Sequence, residues 1–254
     1  MSEREEIISR LRIVLEPLPF IYALWLEGAD ATGTADEYSD LDFWIDIDDE
    51  YEPQAFDAVE AALSEIAPID YNYEARKGHP LLRQHIYHLS GTSEYLLIDF
   101  NAQLHSRPRD EYTLLDNDSI EAAWVLFDKD NIIRHKPFDL SEFADLNKLR
   151  LAEAAYRRSQ HARAEKYVRR GLYLEAYAYY NRYVMEPLID LLRLIYTPAH
   201  ADYYLVHISQ HLPAAEREKL EYFTRIATLD DIAAKIPQAG VWFDELAARV
   251  CIYG

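Results

Sequence analysis

Residues 26–46 read Leu26-Glu-Gly-Ala-Asp-Ala-Thr-Gly-Thr-Ala-Asp-Glu-Tyr-Ser-Asp-Leu-Asp-Phe-Trp-Ile-Asp46. The apolar ends of this stretch predict two strands, joined by a loop that contains two glycines. Because residues two apart on a strand point to the same side, Asp40 and Asp42 project together while Leu41 turns into the core. Two carboxylates held this close repel each other unless a cation lies between them. The pattern therefore predicts a Mg²⁺ site that shares its ligands with substrate phosphates.

A third carboxylate is predicted beside this pair. Asp99 stands in the otherwise apolar run 95–100, where an ionised side chain is costly unless it is paired or bound to a metal. If that strand lies beside the first pair, the three carboxylates could hold two metal ions about 3.5–4 Å apart, as in phosphoryl- and nucleotidyl-transfer sites. A buried salt bridge is the alternative for Asp99, and a turn on an acidic surface is the alternative for Asp40 and Asp42. The acidic run 46–50 is expected to be a solvated strand end.

The chain changes pattern near residue 140, which predicts an α+β fold in two parts. Residues 1–140 are expected to form an α/β domain with a mixed sheet, and residues 141–254 an all-helical bundle. The predicted elements of the first part are helices 3–15 and 53–66 and strands 21–27, 41–47, 69–75, 84–89 and 94–100, followed by a mixed connecting region. Those of the second part are helices 141–169, 172–196, 201–211, 214–227 and 229–250, with a kink at Pro187 and a break at Pro237 and Gly240.

Charge and composition exclude several classes of protein. The chain has 254 residues, with 26 Lys and Arg against 45 Asp and Glu, a net charge of −19. So acidic a protein is repelled by a phosphate backbone, and we expect no nucleic-acid partner. The single cysteine, Cys251, excludes a disulfide framework and favours a reducing compartment. The charged start of the chain lacks a signal-peptide core and no run of about 18 apolar residues occurs, so we expect a cytoplasmic protein with no membrane contact.

The order of these motifs resembles the DNA polymerase β-like nucleotidyltransferase superfamily. Its signature is a strand, a Gly-Ser loop, an Asp-x-Asp pair about a dozen residues later, and an Asp on a later strand. Gly28, the segment Tyr38-Ser39-Asp40-Leu41-Asp42, and Asp99 match it. The sequence is most similar to the small-molecule branch, the aminoglycoside and lincosamide nucleotidyltransferases, in which a helical C-terminal half is also usual. The resemblance implies that Asp40, Asp42 and Asp99 are the catalytic and metal-binding residues, with two Mg²⁺ ions expected. Asp40 and Asp42 would bind the metal ions that carry the triphosphate, and Asp99 would either bind the second metal or help to activate the acceptor hydroxyl.

The loop departs from the family pattern at one position. The Gly-Ser pair reads Gly28-Ala29 here, so a hydroxyl that helps to bind the outer phosphates of the nucleotide is missing. Backbone N–H groups of the loop can still bind phosphate, and Thr32 or Thr34 could replace the hydroxyl. By resemblance, we expect Gly28, Ala29, Thr32 and Ser39 to bind the nucleotide, with ATP as the expected substrate.

Two further sets of residues are predicted in the helical part. Residues 148–170 contain eight basic and two acidic residues, and Arg163, Lys166 and Arg170 share one stripe of a helix. They are expected to bind the triphosphate, or else to form a solvated helix face. On the following helix, Glu175 and Tyr179 lie on a polar stripe that could line an acceptor pocket, with Glu175 as general base. That stripe could equally face solvent.

The expected function is an Mg²⁺-dependent nucleotidyltransferase (EC 2.7.7-type). It would move a nucleoside monophosphate from a nucleoside triphosphate to a hydroxyl of a small molecule, such as an aminoglycoside-like antibiotic, and release pyrophosphate. A non-catalytic, nucleotide-binding or antitoxin-like protein that acts through a protein partner is the alternative, and transfer to a protein side chain is a third. The sequence leaves open which acceptor is used, which nucleotide base is preferred, and whether the protein is a monomer or a dimer.

Overall fold

The computed structural model describes residues 2–75 and 78–250. Cys251 lies outside the described residues. The chain divides into two compact units, Met1–Phe138 and Asp139–Gly254, which are called the N-terminal unit and the helical unit from here on. The predicted fold class, a mixed sheet followed by a helical part, is confirmed.

The N-terminal unit is built on a six-stranded mixed sheet. Its strand order, within the described residues, is β3-β4-β5-β2-β1-β7, and a separate pair joins β6 to β8. The strands are β1 (Ile21–Leu26), β2 (Leu41–Ile47), β3 (Ile69–Ala75), β4 (Leu82–Leu89), β5 (Ile98–Leu104), β6 (Leu114–Leu115), β7 (Trp124–Asp128) and β8 (His135–Lys136). In the six-stranded sheet, β2 and β5 run parallel and the other neighbours run antiparallel.

The described part of this unit has three α-helices: α1 (Glu3–Leu15), α2 (Gly28–Thr32) and α3 (Glu52–Ser64). Helix α1 begins at a capping box, in which the Ser2 side chain accepts from the backbone of Glu5 and the Glu5 side chain accepts from the backbone of Ser2. Helix α3 has Pro53 in its first turn, where a missing N–H costs nothing. The apolar sides of α1 and α3 pack with one face of the sheet into the main core of the unit.

Strand alternation gives the sheet a second, more polar face. Leu24, Leu26 and Phe43 belong to the main core, whereas Trp25 and Trp44 pack in a separate small cluster. Because alternate residues of a strand point to opposite faces, Asp42 shares the face of Trp44. The sequence pattern of β2, Leu-Asp-Phe-Trp-Ile-Asp-Ile, therefore places its carboxylates on the side away from the main core.

The helical unit has its own apolar core, formed mainly by its longer helices. The helices are α4 (Ala144–Ser159), α5 (Ala162–Arg169), α6 (Tyr173–Tyr180), α7 (Glu186–Tyr196), α8 (Ile208–His211), α9 (Ala214–Thr224) and α10 (Leu229–Ala247). Short 3₁₀ helices cover 140–143 and 198–203, and a π-helical turn covers 181–185. No described helix has the length and apolar character needed to cross a lipid bilayer.

The structure corrects several predicted boundaries. The predicted strand 94–100 is β5, which begins at Ile98 after a turn, and the connecting region contains β6, β7 and β8. The predicted loop after β1 contains the short helix α2. In the helical unit, helix 141–169 divides into α4 and α5. Helix 172–196 divides into α6 and α7 around the π-helical turn, and Pro187 lies in the first turn of α7.

The predicted break at Pro237 and Gly240 is wrong, because α10 runs through both residues. A proline removes one helical hydrogen bond, but α10 buries Ile236, Ala239 and Trp242, and this packing outweighs the loss. Gly240 has a packing role. A Cβ at this position would collide with the guanidinium of Arg158.

Candidate functional site

Two of the predicted carboxylates lie side by side on the polar face of the sheet. The parallel register of β2 and β5 pairs Asp42 with Asp99, and neighbouring strands are about 4.8 Å apart. Leu41, one residue before Asp42, is fully buried and its N–H donates to the carbonyl of Leu97 at 2.8 Å. The sequence predicts that Asp99 lies beside Asp42 only if their two strands are neighbours, and the structure shows that they are.

Glu27 extends this pair into a row of three carboxylates, and sequence reasoning gave it no role. Its backbone N–H donates to the carbonyl of Asp42 at 2.9 Å, directly after the paired positions of β1 and β2. Residues opposite each other on antiparallel strands share a face. The carboxylate row, Glu27–Asp42–Asp99, therefore crosses β1, β2 and β5 at one level. A Glu between a buried strand and a glycine was the available signal.

Two aromatic side chains fix the carboxylate of Glu27. The indole Nε1 of Trp25 and the hydroxyl of Tyr112 both donate to Glu27 Oε1, each at 2.9 Å. The rings of Trp25 and Tyr112 lie 5.2 Å apart, so they form one wall beside the carboxylate. Burial raises the pKa of Glu27, and the two donated hydrogen bonds oppose that rise.

Amide side chains hold Asp99 at the other end of the row. Gln84 Nε2 donates to both carboxylate oxygens at 2.7 Å, and Asn101 Nδ2 donates to Oδ1 at 3.0 Å. Gln84 comes from β4 and faces Asn101 across the β4–β5 ladder. Asn101 Oδ1 is buried and has no hydrogen-bond partner.

Asp42, in the middle of the row, has no neutralising partner among residues 2–75 and 78–250. Burial raises its pKa to about 7, with further contributions from the charges of Asp40, Asp99, Glu27 and Asp30 in that order. The unit as a whole adds to this field, because residues 1–138 contain 11 Lys and Arg against 29 Asp and Glu, a net charge of −18. The arrangement favours a cation beside Asp42. Asp40, which precedes β2, is exposed.

The glycine loop approaches this carboxylate closely. Gly28 has a φ of +58°, and a Cβ on it would collide with the carboxylate of Asp42. Only glycine adopts this backbone freely and leaves the space open. The conformation and the close approach together explain why a glycine stands at the start of α2, two residues after β1.

Arg4 of α1 ties the two ends of the loop together, which sequence reasoning also missed. Its guanidinium pairs with Asp30 of α2 and donates to the backbone carbonyls of Ser39 and Asp40, the latter at 3.0 and 3.1 Å. Burial raises the pKa of Asp30, and the charge of Arg4 lowers it. One arginine therefore links the loop after β1 to the segment that enters β2.

The hydroxyls predicted to bind the nucleotide have local partners. Thr32 Oγ1 donates to the carbonyl of Gly28 at 3.0 Å and lies 2.9 Å from Thr34 Oγ1. Ser39 Oγ donates to Asp36 Oδ1 at 2.9 Å. Ala29 lies in α2, directly after Gly28. The contact of Ala29, Thr32 and Ser39 with a nucleotide stays a prediction.

The described residues contain no ready-made metal cage. Nowhere in 2–75 and 78–250 do three Asp, Glu, His or Cys side chains come together closely enough to hold an ion. The paired carboxylates Asp42 and Asp99 still fit Mg²⁺, which binds through one or two carboxylates and takes its other ligands from water and substrate phosphates. The three-carboxylate metal set stays a prediction.

The acidic run after this site is only partly solvated. Asp46 is 2% exposed, which corrects the expectation of a solvated strand end. It accepts from Gln103 Nε2 at 2.7 Å and from His105 Nδ1 at 2.6 Å. Since Asp46 lies on the same face as Asp42 and pairs with Gln103 in the parallel register, β5 and the residue after it supply the partners that burial requires. Asp49 and Glu50 are exposed, as expected.

The predicted cations of the helical unit lie on a surface ordered by tyrosines. Arg163, Lys166 and Arg170 are exposed. Lys166 Nζ lies 5.1 Å and the Arg170 guanidinium 5.6 Å from the ring centre of Tyr167, and that of Arg163 lies 5.9 Å from the ring centre of Tyr183. Such contacts orient cations without neutralising them. Their contact with a triphosphate stays a prediction.

The predicted acceptor residues do not line the cavity that the structure shows in this unit. Glu175 is exposed, and the ring of Tyr179 stacks between those of Tyr167 and Tyr183 at 4.9 and 5.6 Å. A cavity of about 250 Å³ lies elsewhere in the unit. It is lined by Arg150, Glu153, Arg157, Asp190, Ala201, Asp202 and Tyr204.

Three solved structures have a fold similar to that of this chain. An aminoglycoside 6-adenyltransferase from Bacillus subtilis is 14% identical, with 98% of this chain and 90% of that chain covered and a TM-score of 0.36. Spectinomycin adenyltransferase AAD(9) from Enterococcus faecialis, solved with ATP and spectinomycin, is 10% identical, with 97% and 98% covered and a TM-score of 0.34. A chain of the GLD-2/RNP-8 complex is 11% identical, with 96% of this chain and 74% of that chain covered and a TM-score of 0.30. No family model and no curated protein matches the sequence.

Proposed function

We propose that this chain is an Mg²⁺-dependent nucleotidyltransferase of the DNA polymerase β-like superfamily. In the proposed reaction, a nucleoside monophosphate moves from a nucleoside triphosphate, ATP being the expected one, to a hydroxyl of a small molecule. The observation that carries the proposal is the pairing of Asp42 with Asp99 on parallel strands. The loop beside this pair approaches Asp42 so closely at residue 28 that only glycine fits there.

The residues have three proposed roles. Asp42 and Asp99 would hold Mg²⁺, which would neutralise the phosphates and stabilise the charge that develops on transfer. The backbone N–H groups of the Gly28 loop would bind phosphate oxygens. Arg4 would keep the loop and the entry to β2 in register. Asp40, exposed beside the row, is the proposed third metal ligand.

The reaction itself is an in-line displacement. The oxygen of the acceptor hydroxyl bonds to the α-phosphorus, the bond from that phosphorus to the bridging oxygen of the β-phosphate breaks, and pyrophosphate leaves with the electron pair. The hydroxyl proton is finally released to water. The net charge of −18 on the N-terminal unit favours an acceptor with positive charge, and we propose an aminoglycoside-like compound.

Pyrophosphate release tests this function. The protein is incubated with ATP, GTP, CTP or UTP, with Mg²⁺ or EDTA, and with kanamycin or spectinomycin as acceptor. The mass of the acceptor is then measured by mass spectrometry. We expect release that needs both Mg²⁺ and acceptor, with a mass gain of one nucleoside monophosphate.

Variants and a control decide which residues carry the activity. Asp42→Asn and Asp99→Asn should each lower the rate at least 100-fold, whereas Asp57→Asn, which changes an exposed acid of α3, should not. Binding of nucleotide with Mg²⁺ but without turnover across a wider panel of acceptors would favour the non-catalytic alternative.

A further inference from the structure

Glu27 is the one member of the carboxylate row that the proposed metal chemistry does not use. It lies opposite Asp42 at the end of β1, on the face of the sheet that carries Asp99. A carboxylate in this position is costly beside two others. A carboxylate at this position therefore needs hydrogen-bond donors, which the other two carboxylates cannot supply.

The two oxygens of Glu27 have different surroundings. Oε1 accepts both donated hydrogen bonds, from Trp25 and from Tyr112. Oε2 accepts no hydrogen bond from the residues that the structure describes. It is also not fully buried, because it does not belong to the buried polar atoms that lack a partner. One oxygen is thus fixed by the protein, and the other is left to accept from a ligand.

The support of Glu27 comes from packed aromatic side chains. Trp25 is fully buried in β1, and Tyr112 packs against both Trp25 and Trp44, with ring centres 5.2 and 6.1 Å apart. A carboxylate held in this way is already oriented before a ligand arrives, which reduces the entropy lost when the ligand is positioned.

We infer that Glu27 Oε2 accepts the hydrogen bond of the nucleophilic hydroxyl of the acceptor and orients its oxygen toward the α-phosphorus. This inference rests on the proposed function. It assigns Glu27 to the acceptor and leaves Asp42 and Asp99 to the metal and the nucleotide. Trp25 and Tyr112 are positioning residues, because they act through Glu27.

Glu27→Gln is the decisive variant. The glutamine carbonyl can keep both hydrogen bonds at Oε1, but its amide presents a donor where Oε2 was an acceptor. We expect the turnover rate, with the acceptor that supports pyrophosphate release in the screen above, to fall about 100-fold. The affinity for a non-hydrolysable ATP analogue with Mg²⁺ should stay within twofold of the unchanged protein.

Glu60→Gln is the matched control. Glu60 is a carboxylate of α3 that also accepts from a tyrosine hydroxyl, that of Tyr87 at 3.3 Å, and it lies outside the carboxylate row. Its substitution should leave turnover unchanged. A second variant, Glu27→Ala, leaves a space that formate can fill, and added formate should restore turnover at least tenfold. A purely structural role gives no such rescue.

The outcomes separate this inference from the function on which it rests. If the unchanged protein is active and Glu27→Gln keeps a third of its turnover or more, the inference is overturned and the proposed function stands. Parallel losses of turnover, nucleotide affinity and melting temperature, without formate rescue, also overturn it, because they indicate a structural residue. If the unchanged protein turns over no acceptor, both fail together.

Discussion

Replacing Asp42 by Asn should stabilise the metal-free protein at alkaline pH. The folded-state pKa of Asp42 is about 7, against an ordinary value of 3.8. Because the pKa is raised by folding, the ionised form is the one that the fold disfavours. Stability is therefore lost as the pH rises from about 4 to 7 and stays low above that. The asparagine variant carries no charge and should not show this loss.

The structure also sets the size of the effect. A shift of roughly three pK units corresponds to about 4 kcal/mol as an upper limit. Asp42 is only half-buried, and screening by solvent lowers the expected gain to about 1–2 kcal/mol at pH 8. In a chain of this size, that gain raises the melting temperature by about 2–8 °C.

Thermal and urea unfolding in EDTA at pH 5 and pH 8 measure this effect. We expect a gain at pH 8 that shrinks toward pH 5, and no comparable gain in Asp57→Asn. With saturating Mg²⁺, the unchanged protein should become more stable than Asp42→Asn, since only the carboxylate of Asp42 binds the metal. A variant that is less stable than the unchanged protein at pH 8 in EDTA would refute the reasoning, because Asp42 would then stabilise the fold.

Three further predictions concern the loop and the helical unit. Gly28→Ala should cost about 1–3 kcal/mol in unfolding free energy, because it combines a left-handed backbone with a collision; Gly33→Ala, with the same sign of φ but open space, should cost less, and equal losses would argue against the collision. Arg193→Met should cost about 3 kcal/mol or more, since Arg193 is 1% exposed and donates to two backbone carbonyls; a melting temperature within 2 °C of the unchanged protein would contradict this. Ala29→Ser should tighten ATP binding in calorimetry if the loop contacts phosphate, and an unchanged affinity would show that it does not.

The sequence predicts the local parts of the site well because they depend on neighbouring residues. The alternation in β2 gives its bounds and the direction of Asp42, and the same rule gives the burial of Leu41. The pairing with Asp99 could be stated only conditionally, since it needs the strand order. The parallel β2–β5 contact joins residues more than 50 positions apart, which no local pattern encodes.

The residues that were missed act through distant partners. The orientation of Glu27 depends on Tyr112, 85 residues away, and the role of Arg4 depends on carbonyls 35 and 36 residues away. The break expected in α10 failed for a related reason. Pro237 and Gly240 are local signals, and tertiary packing of the buried side of the helix overrides them.

Thermal unfolding with ATP, GTP, CTP and UTP, each with Mg²⁺ or EDTA, tests the central claim most directly. A ligand that binds only the folded protein stabilises it, by about 2.7 kcal/mol at a hundred times its dissociation constant. We predict a rise in melting temperature that needs both nucleotide and Mg²⁺ and that disappears in Asp42→Asn and Asp99→Asn. The absence of a shift with every nucleotide, or a shift that both variants keep, would contradict a nucleotide site at the paired carboxylates.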